Sequence, residues 1–454
     1  TDSGLHFLDI TTVRNDVKPN RDGSATVMVN TVADNKGNYT NDDYLKAVRA
    51  RELQIKIGRP STKHFMQIVT SNQLPNCPVT RADIIAAEHI FGPDVGSLKG
   101  KTVRRRPHLA KPHIEPLPPQ IMSRYRNVTL AADVMYVNGI PMLLTISRNL
   151  HFATVEALPN RNMTTLVNGI KAVAKIYKRA SFHISTTLMD GEFEAMRGDL
   201  ADLGMALDET ARDEHIGDIE RFNRTIKERM RAIYNTLPFT HMPPRIVIEM
   251  AKHAVYWLNA FPHPNGVSET LSPRTIITGQ TVDFNRHCKY EFGQYVQNNE
   301  QHDNSMAPRT IGALAMRPTG NAQGNYYFYS LSTGRIINRA HATPLPMPDD
   351  VIERVHTQAR RQKANPGLVF LDRNQVPDEA INVHDGNDDD DDDSDYVPDE
   401  DIDSDSDYDD DEPDDDDDDD TDDDPDDSDY DPAEDGGEDD ADDYDPAEDG
   451  GADD

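Results

Sequence analysis

Val128-Thr-Leu-Ala-Ala-Asp-Val-Met-Tyr-Val137, followed by Asn138-Gly139 and then Pro141-Met-Leu-Leu-Thr-Ile-Ser147, reads as two strands and the turn between them. Both runs are made of small, β-branched and apolar residues, the composition of buried strands. Asn-Gly favours a tight turn with positive φ at both central positions, so the second run returns antiparallel to the first. Phe152-Ala-Thr-Val-Glu-Ala157 completes a meander. Asn162 or Thr164 then opens a helix with Leu166, Ile170, Val173 and Tyr177 on one face, and Phe182-His-Ile-Ser-Thr-Thr-Leu-Met189 alternates back to strand.

Asp133 stands inside the first of these strands, where a carboxylate is costly to bury unless it is paired or holds a metal. Asp190 closes the later strand, just ahead of Gly191. Further on comes His215-Ile-Gly-Asp-Ile-Glu-Arg-Phe-Asn-Arg-Thr-Ile-Lys-Glu-Arg-Met230. On a 3.6-residue period Ile219, Phe222, Ile226, Met230 and Ile233 form an apolar stripe, while Glu220, Arg224, Lys227 and Arg231 form a second line on a neighbouring face. Alone, Glu220 and Arg224 are an ordinary i,i+4 pair on a surface helix. With two acids on upstream strands, Glu220 completes what a two-metal phosphoryl-transfer site requires, since hard divalent ions want oxygen ligands. Glu192 and Glu194 are read as first-turn acids of a helix whose stripe is Phe193, Met196, Leu200 and Leu203, and His215 as a polar packing residue.

The order Asp133, then Met189-Asp-Gly-Glu-Phe-Glu194, then Gly217-Asp-Ile-Glu-Arg-Phe-Asn-Arg-Thr-Ile-Lys-Glu228 resembles the integrase core of retroviruses and, more closely, of copia-type LTR retrotransposons. The resemblance runs over roughly residues 55 to 345. It implies an RNase H-like fold whose Asp133, Asp190 and Glu220 are both catalytic residues and ligands of Mg²⁺ or Mn²⁺. The implied activity is trimming of DNA ends and their transfer into target DNA. The implied partners are double-stranded DNA, as element ends and as target, and further copies of the chain in a homo-oligomer, with the nucleus as the site of action. Arg224, Lys227 and Arg231 are placed to meet DNA phosphates. One departure concerns spacing: 29 residues separate Asp190 from Glu220, short for this family.

The expected class is therefore α/β, an RNase H-like mixed sheet flanked by helices over residues 121–285. A small SH3-like β-barrel follows over 286–346, then a basic helix or linker over 347–384 and a disordered acidic tail over 385–454. A pre-integrase-like region and basic linker occupy 1–120. Upstream, Asn41 or Asp42 is expected to cap a helix with Leu45, Val48, Leu53 and Ile55 on its apolar side. Relatives often build a zinc site in that region, but Cys77 with His64 or His89 supplies too few ligands for tetrahedral closure, so no zinc is expected. Lys101, Arg104, Arg105 and Arg106 form a basic, Pro-flanked stretch suited to lie along DNA phosphates or to serve as a solvated linker. Trp257, in a long helix ended by Pro262, is read as core. Phe292-Gly-Gln-Tyr-Val296, Ile311-Gly-Ala-Leu-Ala-Met316, Tyr326-Tyr-Phe-Tyr329 and Arg335-Ile-Ile-Asn338 are the barrel strands. Residues 352–363 are a short basic helix.

Charge divides the chain sharply. Of 82 acidic residues, 44 fall between 385 and 454, where there is no Lys or Arg. Residues 1–384 thus hold 38 acidic against 46 basic residues, a net of +8, and the chain's net charge of −36 belongs to the tail. Such a tract cannot bury enough apolar surface to order itself. It suits a histone or another basic partner, or mimicry of DNA charge. Two cysteines exclude a disulfide framework and fit a reducing compartment. No signal peptide or apolar run of membrane-spanning length is present, so no membrane partner is expected. The first residue is Thr1, as expected of a piece of a longer polyprotein or an incomplete gene model. Three other functions compete: an inactive transposon-derived DNA-binding protein, a plain RNase H-like nuclease, and a chromatin-interacting protein that works through its tail.

Overall fold

Side-chain caps punctuate the N-terminal region into five helices: α1 (Val32–Gly37), α2 (Asn41–Lys56), α3 (Thr62–Thr70), α4 (Arg81–Phe91) and α5 (Val95–Lys101). Thr31, Thr40, Ser61, Thr80 and Asp94 each accept the backbone N–H three residues on, satisfying a donor that the helix itself leaves open. The cap of α2 is thus Thr40, one residue before the expected Asn41. Its buried face also differs from expectation: Ala47, Ala50 and Gln54 are enclosed, while Leu45 and Ile55 are exposed. Small residues let α2 and α4 approach closely, a packing that the search for large apolar residues overlooks. Phe65, Ile84 and Ile90 fill the space between the helices, with Cys77 at its fringe.

The computed structural model describes residues 29–102, 110, 114–209, 217–300, 305–371 and 376–377. The chain divides into two units, residues 1–383 and 384–454, and the acidic tract of the second lies outside the described residues. No helix among the described residues is long and apolar enough to cross a membrane.

A short helix, α6 (Pro119–Tyr125), leads into β1 (Asn127–Val137), β2 (Ile140–Ser147) and β3 (Ala153–Ala157). The hairpin turns at Asn138 and Gly139 with φ of 51° and 79°, a conformation open to Asn and Gly but strained for most side chains. Then come α7 (Met163–Arg179), β4 (His183–Met189), a 3₁₀ turn (Gly191–Met196), α8 (Arg197–Asp202), β5 (Ala206–Glu209), α9 (Gly217–Asn235) and α10 (Pro244–Leu258). The strands lie in the order β3-β2-β1-β4-β5, with the meander antiparallel and β4 and β5 parallel to β1. Alternation along β1 sends Leu130 and Ala132 toward the core of α7, and Ala131 and Met135 toward that of α9 and α10. This is a mixed sheet flanked by helices, consistent with an RNase H-like core. Leu166, Ile170, Val173 and Tyr177 on α7, and Ile219, Phe222, Ile226 and Met230 on α9, are buried as expected, while Ile233, the last of the α9 stripe, is half-buried. The stripe expected after Asp190 is split between the 3₁₀ turn and α8, with Phe193, Met196 and Leu200 buried and Glu194 paired with Arg197 at 2.8 Å.

Past α11 (Pro273–Thr278) and α12 (Phe284–His287) the period changes to that of strands: β6 (Tyr295–Asn299), β7 (Thr310–Pro318), β8 (Tyr326–Ser330), β9 (Ile336–Arg339) and β10 (Ala342–Pro344). They form a five-stranded antiparallel sheet in the order β10-β6-β7-β8-β9. Residues 347–384, read as a basic helix or linker, contain α13 (Asp349–Arg361), which buries Val351, Val355 and Ala359, and β11 (Phe370–Leu371), which returns to β1. Trp257 is half-buried, not core: it stacks on the exposed Phe261 with ring centroids 6.1 Å apart.

α10 ties the two sheets together. Glu249 pairs with Arg317 at 2.8 Å, and His253 Nδ1 donates to the Met316 carbonyl at 3.0 Å. Burial holds the His253 imidazole down to about 4, so it packs as the neutral form. A depressed folded value means the stabilisation is complete above the unfolded value and is lost as pH falls between the two. Going from pH 7 to pH 5 should therefore cost about 2 kcal/mol, taking the unfolded value as about 6.5. Urea unfolding at both pH values checks this, and His253→Gln should shrink the acid-dependent loss by about the same amount.

Candidate acidic site

Parallel pairing sets Ala131 of β1 beside Leu188 of β4, so two residues further along each strand Asp133 and Asp190 come level. Ala131, Met135 and Leu188 all face α9, and the two-residue alternation puts both acids on that same side. β4 ends at Met189, leaving Asp190 exposed as the cap of the 3₁₀ turn, where its Oδ1 accepts Gly191 N–H at 2.7 Å. Asp133 is half-buried. Its Oδ1 accepts Val134 N–H at 2.7 Å, and its Oδ2 accepts Asn223 Nδ2–H at 3.2 Å.

Asn223 belongs to α9, three residues beyond Glu220, and residues at that spacing share a helix face. Its bond to Asp133 therefore holds the first turn of α9, with the exposed Glu220, against the acid-bearing part of β1. Topology thus gathers Asp133, Asp190 and Glu220 at one end and one face of the sheet. It does not draw them into a single cluster: among the described residues, no three His, Cys, Asp or Glu side chains group closely enough to hold a metal ion. The oxygens of Asp133 and Asp190 are turned to backbone and amide donors.

Two neighbours of the acids were not anticipated. Asn223 sits between the apolar stripe and the charged line of α9, and its Oδ1 is buried without a hydrogen-bond partner. A polar residue off both stripes was the only signal available. Asp208, exposed on β5 opposite Leu188, adds a carboxylate on the same face. Nothing in a four-residue strand marked it.

The basic line of α9 is only partly open. Arg224 is exposed, but Lys227 is 8% exposed and Arg231 half-buried. The Phe370 ring lies over both, with its centroid 5.8 Å from Lys227 Nζ and 4.9 Å from Arg231 Cζ. The continuous solvent-facing row expected from helical periodicity is thus interrupted by a residue 139 positions further along than Arg231. Lys101, exposed in the last turn of α5, donates to the Arg59 carbonyl. Arg104, Arg105, Arg106 and His215 lie outside the described residues, as does the side chain of Glu192.

No family model matches the chain, and no curated protein matches it. Among solved structures, the catalytic core domain of BIV integrase is similar, at 14% identity over 33% of this chain and 92% of that one, with a TM-score of 0.25.

Proposed function

We propose that the chain is an integrase-type polynucleotidyl transferase of the copia retrotransposon kind, which trims DNA ends and transfers them into target DNA. The observation that supports it is the register of β1 and β4, which carries Asp133 on β1 and Asp190, the residue just past the end of β4, toward one level, with Asn223 anchoring the Glu220 turn of α9 to Asp133. The donor set is all carboxylate, which suits Mg²⁺ or Mn²⁺. Bound there, such ions would supply the positive charge that activates an attacking oxygen and stabilises a leaving one. Asp133 is gripped by its own strand and by Asn223, whereas Asp190, held by the Gly191 N–H, and Glu220 are exposed. Arg224, one turn beyond Glu220, meets a DNA phosphate. The basic stretch from Lys101 to Arg106 and the five-stranded sheet, as an SH3-like module, grip DNA further out, and the working assembly is a nuclear homo-oligomer.

A second reading is a DNA-binding protein that has lost catalysis, favoured by the ungrouped acids. The purified full chain, given labelled duplex ends and a target duplex, should yield joined products only with Mg²⁺ or Mn²⁺. Cleavage of RNA in a hybrid without any joining would point to a plain nuclease. DNA binding with neither reaction would leave the second reading standing.

A further inference from the structure

α7 carries charge of one sign only. Between Glu156 and Asp190 the chain holds five Lys or Arg and no acidic residue. Four of the five lie on α7, where Lys175, Lys178 and Arg179 are exposed and Lys171 is half-buried. The stripe from Leu166 to Tyr177 packs on the sheet, so helical geometry turns all four cations together to the solvent side. Lys171, Lys175 and Arg179 follow at single-turn intervals, a rise of about 6 Å each. Past the end of α7 the chain enters β4, and the His183 N–H donates to the Arg126 carbonyl at 2.8 Å, which brings a fifth exposed cation to the end of the row. Lys46, Arg197 and Lys252 each meet a carboxylate within 3.2 Å, whereas none of these five cations is in an ion pair among the described residues. Like charges one turn apart weaken a helix. The helix dipole offsets this for Lys178 and Arg179 in the last turn, but not for Lys171 and Lys175 in the middle.

We propose that the solvent face of α7, lengthened by Arg126, is a further DNA-binding surface, which takes the phosphate backbone of a duplex on the side of the sheet away from Asp133 and α9. The other residues of the face say which anion it fits. Protein interfaces centre on large aromatic or aliphatic anchors, and here the exposed residues between the cations are Thr164, Asn168 and Ala172. Phosphate oxygens need only cations and polar donors, which Lys, Arg, Thr and Asn supply. Contacts of this kind carry no sequence information, so the surface holds any duplex alike. Because α7 and α9 cover opposite faces of the sheet, DNA held on α7 is separate from DNA at the acidic site, and one chain can engage two duplexes. The inference makes no use of the acids, so it stands or falls apart from the joining reaction.

The test is made in the full chain. Lys171→Gln, Lys175→Gln, Lys178→Gln and Arg179→Gln together should leave the melting temperature no lower than the parent's, since Gln is a good helix former and the repulsion is gone. Binding of a labelled random-sequence duplex at about 50 mM salt should weaken about tenfold or more, and the slope of log K against log salt should become shallower by about 3.6, the expectation for four lost phosphate contacts. Lys171→Arg, Lys175→Arg and Lys178→Arg together should preserve both values. Lys46→Gln with Lys56→Gln, which removes charges already paired on α2, should leave the slope as it is. In the unaltered chain, added duplex should slow acetylation of Lys171, Lys175 and Lys178. An unchanged slope in the four-Gln protein, or acetylation that the duplex does not slow, overturns the proposal. Slowing by polyaspartate and not by the duplex overturns it as well, and gives the face to an acidic protein partner.

Discussion

Glu220→Gln should leave a folded protein that no longer joins DNA ends. Three carboxylates share the charge of any bound cations, and replacing one by an isosteric amide removes a ligand without changing volume, so a loss of about 10³-fold or more is expected from losing such electrostatic stabilisation. Asp133→Asn and Asp190→Asn should do the same. Stability should move the other way. Asp133 is held by a backbone N–H and by Asn223, and the amide oxygen of Asn can still accept one of those bonds, so the metal-free variant should unfold within about 1 kcal/mol of the parent. Removing one of several like charges at a sheet end lowers repulsion and favours the upper end of that range. Mg²⁺ or Mn²⁺ should raise the melting temperature of the parent and not that of the variants, because only the complete set binds ions and binding stabilises the folded state. Joining that persists in all three variants would remove the acids from the chemistry.

What the sequence revealed and what it withheld follow from distance along the chain. The meander was legible because alternation and Asn138-Gly139 are local signals, and α7 and α9 because their stripes repeat over many turns. Asp133 could be assigned to a strand, while Asp190, read as closing one, is the cap just past it; their relative level depends on the β1 and β4 register, which no local pattern states. α2 misled because its buried face is built from Ala47 and Ala50, small enough for close approach, and from Gln54, whose amide accepts from Arg51 and donates to the Pro60 carbonyl. β5 escaped notice because four residues carry almost no periodicity, and Asp208 escaped with it. The same holds more strongly for β11, which is two residues long and exists only because β1 offers an open edge. Without β11 there was no way to see that Lys227 and Arg231 lie beneath an aromatic ring. Helical periodicity says which residues share a face, and only the tertiary fold says what covers it.

Cutting the chain after residue 384 should convert a weak DNA binder into a strong one. The cut removes 44 acidic residues and no basic ones, taking the formal charge from −36 to +8. Affinity for duplex DNA is dominated by cations meeting phosphates, and a large negative field on the same molecule opposes every encounter. At about 50 mM salt the shortened chain should bind at least about a hundredfold more tightly, with faster association contributing much of the difference. Salt should abolish the contrast, since the Debye length falls to about 3 Å at 1 M and distant charges cease to be felt. Replacing residues 385–454 by an uncharged Gly, Ser and Asn stretch of equal length separates charge from bulk: it should behave as the shortened chain does. If the neutral replacement instead behaves as the parent, repulsion is not the cause. If removing the tail weakens binding to chromatin while binding to bare DNA stays the same, the acidic tract is itself a contact for a basic partner, and the positive head is the lesser part of the interaction.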